Sequence, residues 1–384
     1  MKNRFVGLMT ILFTLSIYTT VFASNAVFTN VKKVIAVGDL HGDYEQYIRV
    51  LKANKLVNAK LKWIGGDTHF VQLGDVTDRG PDSLKIINHL MKFEKQAKKA
   101  GGMVHVLIGN HEAMNIQTDL RYVHPGEYAA LVTKKSKRNQ ANYINAVFHN
   151  MLSTRPELAE TKAETRIALT KAYPLGYVEH RRLWEAGQKL AKWYAKHNAV
   201  IQINDTLYLH GGLDPHVETL LSLKEINEGI RNELSARQAP NLTVNPRGPL
   251  WYRGLARNSA EMELPAIIDM LEHYGVKRIV VAHSTTRGAV TPRFDRRVIL
   301  ADVGIGKAYG SAMANYVSES GKGFALHRGT LIELPLDGNL LEYLEMTAKL
   351  EPKGSRLARC IESSIGLIAC NAPTTIEKKN SPVE

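Results

Sequence analysis

The chain has 384 residues, a formal charge of +13, 44% hydrophobic residues and two cysteines. That length holds one large domain or two small ones, and the composition is that of an ordinary globular protein, not of a disordered or fibrous chain. The positive charge favours anionic partners such as phosphoproteins, nucleotides, nucleic acid or lipid headgroups without choosing among them, and a solvated basic face with no specific partner accounts for it equally well.

The N-terminus carries Lys2 and Arg4, then an apolar stretch from about Val6 to Val21, then small residues at Val21-Phe22-Ala23. This is the pattern of an export signal, so residues 1–23 are expected to be cleaved after Ala23. An uncleaved membrane anchor is the alternative, although the apolar run is short for a span and carries Thr and Ser. The mature chain is then expected in the periplasm or outside the cell, with no stable membrane insertion.

Val34-Ile35-Ala36-Val37 ends at Gly38, Phe70-Val71-Gln72-Leu73 ends at Gly74, and Met103 to Ile108 ends at Gly109. Each reads as a buried strand whose C-terminal end delivers a polar loop. Pro81 to Lys99 predicts a helix with Pro in its first turn and Lys at its end. This alternation argues for α/β layering, with functional groups at the carboxyl ends of strands. Helical periodicity dominates between Glu112 and Ala199, as in Tyr143-Ile144 with Val147-Phe148, Leu183-Trp184 and Trp193-Tyr194. We read about 115–198 as a mostly helical insertion. Basic residues concentrate there, between Lys134 and Lys196, and again in Arg287–Arg297.

The second half is richer in strands. Ala199 to Ile203 and Thr206 to Leu209 flank the turn Asn204-Asp205, and Arg278 to Ala282, Arg297 to Asp302, Phe324 to His327 and Leu331 to Leu336 follow. Two sheets packed face to face, with helices outside, fit this order. Leu221 to Leu234 predicts another helix. The main domain is placed at 24–345 and a C-terminal tail at 346–384. Cys360 and Cys370 lie close together in that tail, where an oxidising compartment would let them close a small loop; two free thiols are the alternative.

Five polar segments stand out: Gly38-Asp39-Leu40-His41-Gly42, Gly74-Asp75-Val76-Thr77-Asp78-Arg79-Gly80, Gly109-Asn110-His111-Glu112, Leu209-His210-Gly211-Gly212 and Ala282-His283-Ser284. Most of them directly follow an apolar run. Asp39 and His41 alternate across one residue and can turn toward one ion. Asp75 can bridge two ions, Asn110 offers a neutral oxygen, and His210 and His283 each offer a ring nitrogen. Metal one is therefore expected on Asp39, His41 and Asp75, and metal two on Asp75, Asn110, His210 and His283. Mixed imidazole and carboxylate ligation suits Mn, Fe or Zn better than Ca. Two such ions roughly 4 Å apart can share a hydroxide at neutral pH and direct it at phosphorus.

Arg79 is expected to hold phosphate oxygens with its planar fork, with Arg253 as a second clamp. His111 is assigned to protonating the departing oxygen and Asp78 to orienting it. Glu112 reads as buried support of its loop, Asp302 as a partner of the ligands, and Tyr309 as either pocket lining or packing.

These segments resemble the phosphoprotein phosphatase branch of the calcineurin-like metallophosphoesterases. That family carries G-D-x-H-G, G-D-x-x-D-R-G, G-N-H-E, H-G-G and a last lone histidine, and all five stand between Gly38 and Ser284. Gly65-Gly66-Asp67, the run from Ala113 to Val123, and Pro249-Leu250-Trp251-Tyr252-Arg253 extend the likeness to the Shewanella-like subgroup. The resemblance implies a four-layer αββα sandwich, two metal ions (often Mn) and phosphomonoester hydrolysis on phosphorylated proteins or peptides. It also points to Arg121 as a substrate contact, because some members of the subgroup prefer phosphotyrosine.

Two further readings stay open. A nucleotide or dinucleoside polyphosphate hydrolase of the same fold would share the metal ligands, although the export signal and the insertion speak against it. A secreted binding module on a dead scaffold would normally have lost ligands, and none is missing here. A nuclease or phosphodiesterase is disfavoured because Ala282-His283-Ser284-Thr285 lacks the second histidine such enzymes carry, so no nucleic-acid partner is expected.

Overall fold

The computed structural model describes residues 25–362. The expected signal and its cleavage point lie outside the described residues, as does Cys370. Along the chain the strands are β1 (Val27–Phe28), β2 (Lys33–Val37), β3 (His69–Gln72), β4 (Met103–Val106), β5 (Val200–Ile203) and β6 (Thr206–Leu209). They continue as β7 (Arg278–Val281), β8 (Thr291–Arg293), β9 (Val298–Leu300), β10 (Ala314–Glu319), β11 (Lys322–His327) and β12 (Thr330–Glu333). They form two six-stranded sheets, ordered β12-β11-β10-β2-β3-β4 and β1-β5-β6-β7-β9-β8. In the first, β2, β3 and β4 run parallel. In the second, β6, β7 and β9 run parallel.

The apolar runs explain the layering. Val34 to Val37 are buried at every position, as are Thr206 to Leu209 and Val298 to Leu300. A strand buried on both faces needs a layer on each side. One continuous hydrophobic core takes in residues of both sheets, from Ile35 and Phe70 to Leu207, Val280 and Ile299. Helices complete the outside. The first two are α1 (Tyr44–Ala53) and α2 (Ser83–Lys99), and α2 lies against β4. The layers thus run helix, sheet, sheet, helix.

Pro81 stands before the N-cap of α2, Asp82, and not in its first turn. Next come α3 (Asn110–Ile116), α4 (Pro125–Ala129), α5 (Ser136–Thr154), α6 (Lys162–Ala172), α7 (Tyr177–Trp184) and α8 (Lys189–Tyr194). Ile144, Phe148 and Leu169 of α5 and α6 form a small core of their own, apart from the main one. This helical stretch is tied to the rest of the fold through α4 and α7. Glu127 Oε1 accepts from Asp78 N at 3.1 Å and Ser83 Oγ at 2.6 Å, and Arg181 Nη1 donates to Asn115 O at 3.1 Å.

The later helices are α9 (Leu223–Leu234), α10 (Gly254–Arg257), α11 (Ala260–His273), α12 (Leu340–Leu350) and α13 (Arg356–Glu362). Helix α9 starts on a capping box of Ser222 and Glu225, and it lies against β5. The boundary expected at residue 345 falls inside α12. Helix α13 also belongs to the body, because Leu357 and Cys360 enter the main core. Arg356 adds bonds to Tyr309 O and Thr286 O at 2.6 and 2.8 Å. Cys360 is disulfide-bonded.

Candidate metal centre and active site

The carboxyl ends of the parallel strands converge on one place. Asp39 and His41 follow β2, Asp75 follows β3, Asn110 and His111 follow β4, His210 follows β6, and His283 follows β7. All seven are buried. The loops meet at backbone distance. A Cβ on Gly109 would stand 2.2 Å from Asp75 Oδ1, and one on Gly74, at φ +98°, would stand 2.7 Å from Gly109 Cα. Only glycine admits that approach. Several site residues hold left-handed backbone despite a Cβ: His41 (φ 45°), Asp75 (54°), Asp78 (69°), Arg79 (64°) and His283 (62°). Strain of this kind concentrates at functional sites.

Side-chain geometry defines two clusters that share Asp75: His41, Asp75 and His111, and Asp75, His210 and His283. Asp39 spans both, with Oδ2 3.7 Å from His41 Nε2 and Oδ1 3.7 Å from His210 Nδ1. Asn110 Oδ1 lies 2.8 Å from His210 Nε2. The six expected ligands are therefore brought together. The difference is that His111, which was not expected as a ligand, completes a compact group with His41 and Asp75.

The donor set fits cations. His41 Nδ1 meets Thr77 O at 2.9 Å, and His210 Nδ1 meets Leu73 O at 2.9 Å. A carbonyl only accepts, so both protons sit on Nδ1 and both Nε2 lone pairs face inward. There they face acceptors: Asp75 Oδ2 is 3.9 Å from His41 Nε2 and 3.2 Å from His210 Nε2. Such convergence is repulsive without a positive charge between the atoms. Burial lowers both histidines, yet Asp39 and Asp75 outweigh it and push each up to about 9. Burial raises Asp75, and its histidine neighbours, His210 first, hold it well below the usual carboxylate range. His283 Nε2 is buried with no hydrogen-bond partner among the described residues. Burial, His210 and Arg253 keep its ring well below the ordinary imidazole value. An orphaned ring nitrogen beside a carboxylate is what a metal-ligand histidine presents.

The remaining groups divide by role. His111 Nδ1 is 2.6 Å from Asp78 Oδ2, and its Nε2 faces Asp75 Oδ2 at 3.8 Å. Asp78 Oδ1 accepts from Asn115 Nδ2 at 2.9 Å. Arg79 is the one exposed residue between Phe70 and Gly80. It has no ion pair among the described residues. Its guanidinium lies 3.9 Å above the Tyr122 ring, and that ring is 5.1 Å from His111. Arg253 is less free than expected. Nη1 donates to His283 O at 2.6 Å and Ser284 Oγ at 3.2 Å, so much of its fork holds the His283 loop in place.

Glu112 accepts from the backbone N–H groups of Asp75, Val76, Thr77 and Gly109, and so clamps two ligand loops with one carboxylate. Burial and Asp75 push it up to about 7. Asp302 accepts from Thr285 Oγ1 at 2.7 Å and Gly304 N at 3.0 Å. Tyr309 stacks on His41, with centroids 4.8 Å apart. Arg121 pairs with Asp119 on the surface, Nε to Oδ1 at 2.8 Å. Both line a cleft of about 730 Å³ that reaches Arg253, with Met114, Val244, Pro246 and Trp251 as apolar walls. Sequence reasoning missed Asn115, Tyr122 and Glu127, which act through Asp78 and Arg79. Their one visible signal was proximity to the third motif.

A carboxylate shared between two imidazole-containing clusters, at the strand ends of a layered α/β sandwich, defines a two-metal phosphoesterase. Residues 32–286 match the calcineurin-like phosphoesterase family, and the chain belongs to it. An uncharacterised protein of Schizosaccharomyces pombe is 31% identical over 78% of this chain and 82% of its own length. Shewanella-like protein phosphatase 2 of Arabidopsis thaliana is 29% identical over 73% of each. Among solved structures, the cold-active protein tyrosine phosphatase of a psychrophilic Shewanella species is 27% identical. It has a TM-score of 0.61 and covers 80% of this chain and 82% of that one. The chain is a metal-dependent phosphatase.

Proposed function

We propose that this phosphatase acts on phosphotyrosyl proteins or peptides. The observation that carries the reading is the cleft beside Arg253. Its walls are apolar at Met114, Val244, Pro246 and Trp251, with Arg253 and the Arg121–Asp119 pair as its charged groups. A flat aryl phosphate suits such walls better than the short side chain of phosphoserine. Similarity to a protein tyrosine phosphatase supports the same choice.

Asp39, His41 and Asp75 would hold one ion, and Asp75, Asn110, His210 and His283 the other. Two ions held there, which we take to be Mn, would supply Lewis acidity and an activated water at neutral pH. Arg79, exposed and unpaired at the rim, binds phosphate oxygens bidentately, with Tyr122 keeping its plane fixed. His111 Nε2 gives a proton to the departing oxygen. Asp78 keeps the other ring proton on Nδ1 and stabilises the imidazolium before transfer. Export completes the reading, on the sequence of residues 1–23.

The test is kcat/KM for the chain from Ser24 with Mn²⁺, on matched phosphotyrosine, phosphoserine and phosphothreonine peptides and a dinucleoside tetraphosphate. Faster turnover of the phosphotyrosine peptide is expected. Equal or faster turnover of the phosphoserine peptide would overturn the residue preference. Turnover of the nucleotide alone would overturn the protein substrate.

A further inference from the structure

A second cleft, of about 810 Å³, opens at the other end of the molecule. It lies at the N-terminal ends of β7 and β9 and beside the β10–β11 turn, whereas the metal centre sits at the carboxyl ends. Five cations line it, Lys277, Arg278, Arg296, Arg297 and Lys322, against the three carboxylates of Glu272, Asp295 and Glu333.

Lys277 pairs with Asp205, just outside the lining, at 3.4 Å, and the lining carboxylates leave the other four cations poorly matched. Glu333 is shared, 3.9 Å from Arg296 and 3.8 Å from Lys322. Asp295 Oδ1 accepts from Asp337 N at 3.2 Å. Arg297 donates to Phe294 O at 3.2 Å and has no ion pair among the described residues. Arg278 reaches across the seam between the sheets to Tyr316 OH at 3.2 Å, and its Nε is buried without a partner. A buried donor left unsatisfied is unfavourable, and stability alone does not select for it.

The wall that carries Arg296 and Arg297 is strained as well. Phe294, Asp295 and Arg296 all hold left-handed backbone, at φ 54°, 51° and 67°. Three such residues in succession, none of them glycine, are unfavourable sterically, and they bring the two arginines to the cleft. The opposite side offers apolar surface at Ile268 and Leu336, 42% and 46% exposed.

We propose that this cleft is a second anion site, separate from the metal centre, and that it takes a phosphorylated organic molecule. The cations still outnumber the carboxylates once Asp205 is counted, and a phosphomonoester carries the opposite charge at neutral pH. The three guanidinium forks suit its oxygens, and the apolar flank suits the organic body. The phosphoryl group belongs either to a second phosphorylated residue of the substrate or to a free organic phosphate.

Phenylphosphonate, whose P–C bond resists phosphatases, is the probe. Its competitive inhibition constant against p-nitrophenyl phosphate defines binding at the metal centre of the metal-loaded enzyme. Titration calorimetry is expected to find one further molecule per chain. In the doubly substituted Arg296→Gln, Arg297→Gln chain that further binding is lost, while kcat/KM for p-nitrophenyl phosphate stays within about twofold. Lys322→Gln, on the facing strand, weakens it about tenfold and guards against local misfolding of the turn. An isotherm fully accounted for by the inhibition constant overturns the proposal. Undiminished second-site binding in both variants does so too. A KM advantage of a doubly over a singly phosphorylated peptide, lost in the double variant, identifies the substrate as the source. A change in kcat at saturating substrate on adding phenylphosphonate identifies a free effector.

Discussion

Asp78→Asn isolates the proton-transfer pair with little change of shape. Asp78 is fully buried and sits at φ 69°, which asparagine tolerates well. One carboxylate oxygen faces His111 Nδ1 at 2.6 Å and the other accepts from Asn115 Nδ2 at 2.9 Å. An amide cannot accept on both sides. With its oxygen toward His111, its NH₂ would face the NH₂ of Asn115. The amide therefore turns, giving its oxygen to Asn115 and its nitrogen to His111. Nδ1 must then accept, and the ring becomes a neutral imidazole with its only proton on Nε2 and no carboxylate behind it. Losing a hydrogen bond to a charged group costs about 1.5–3 kcal/mol, or about 10- to 150-fold in rate. Losing general-acid function altogether bounds the effect at about 10⁴-fold. The assay is kcat/KM across aryl phosphates of rising leaving-group pKa, with metal content measured alongside. For p-nitrophenyl phosphate, whose phenolate leaves without a proton, the loss should stay below about tenfold, and it should grow toward basic leaving groups. A uniform loss with full metal content would remove His111 and Asp78 from protonation. A uniform loss with depleted metal would make Asp78 a structural residue.

Three other outcomes are expected. Tyr122→Leu removes the platform under Arg79 and should raise KM for phosphopeptides about 2- to 5-fold at similar kcat, the worth of an exposed cation–π contact. Tyr122→Phe should restore it, and identical KM values for Leu and Phe would exclude the platform role. Asp75→Asn should bind fewer than two ions per chain by elemental analysis; retained binding of two would sink the bridging assignment. Glu351 is buried against His327 Nε2 at 2.9 Å and Arg328 Nη2 at 2.7 Å. Burial raises its pKa, but its close contacts with His327 and Arg328 outweigh this and hold it below its ordinary 4.5. A depressed carboxylate stabilises the fold above its unfolded pKa and loses that contribution as pH falls through the folded value. Glu351→Gln should therefore cost about 1–3 kcal/mol in urea unfolding at pH 7 and progressively less below pH 4.5. A difference that does not change with pH would refute this.

The parts legible in the sequence share one physical signature. Strands β2, β3 and β4 are continuous apolar runs ended by glycine, because both their faces are buried and their loops must approach closely. The ligands follow directly from those ends. Strand β10 was missed because Ala-Asn-Tyr-Val-Ser-Glu shows neither alternation nor a continuous apolar run. Its Asn315 is buried, and Asn54 Nδ2 donates to its Oδ1 at 2.7 Å. Strand β8 contains Pro292, which a central strand excludes but an edge strand accepts, and β8 is an edge. Helix α13 was unreadable because its few apolar residues find their partners far away in the chain. Tyr122, Asn115 and Glu127 stayed hidden for a related reason. They position groups that touch substrate, and a positioning role leaves no residue-type signature of its own.

The strained backbone explains why such positioning residues are needed. His41, Asp75, Asp78, Arg79 and His283 each hold a conformation that costs about 1–3 kcal/mol for a residue with a Cβ. Left alone, the loops would relax and turn the ligands away. The counterforce comes from groups outside the ligand set. Glu112 fixes the backbone on either side of Asp75 and at Gly109. Glu127, carried on α4, holds Asp78 N, and Tyr122 O holds Arg79 N at 3.0 Å. Arg253 holds His283 O. Each strained residue whose backbone is braced in this way is braced by a different residue: Glu112, Glu127, Tyr122 or Arg253. The helical stretch after α3 is accordingly part of what keeps the catalytic loop in its reactive shape, since α4 supplies Glu127 and α7 anchors Asn115 through Arg181.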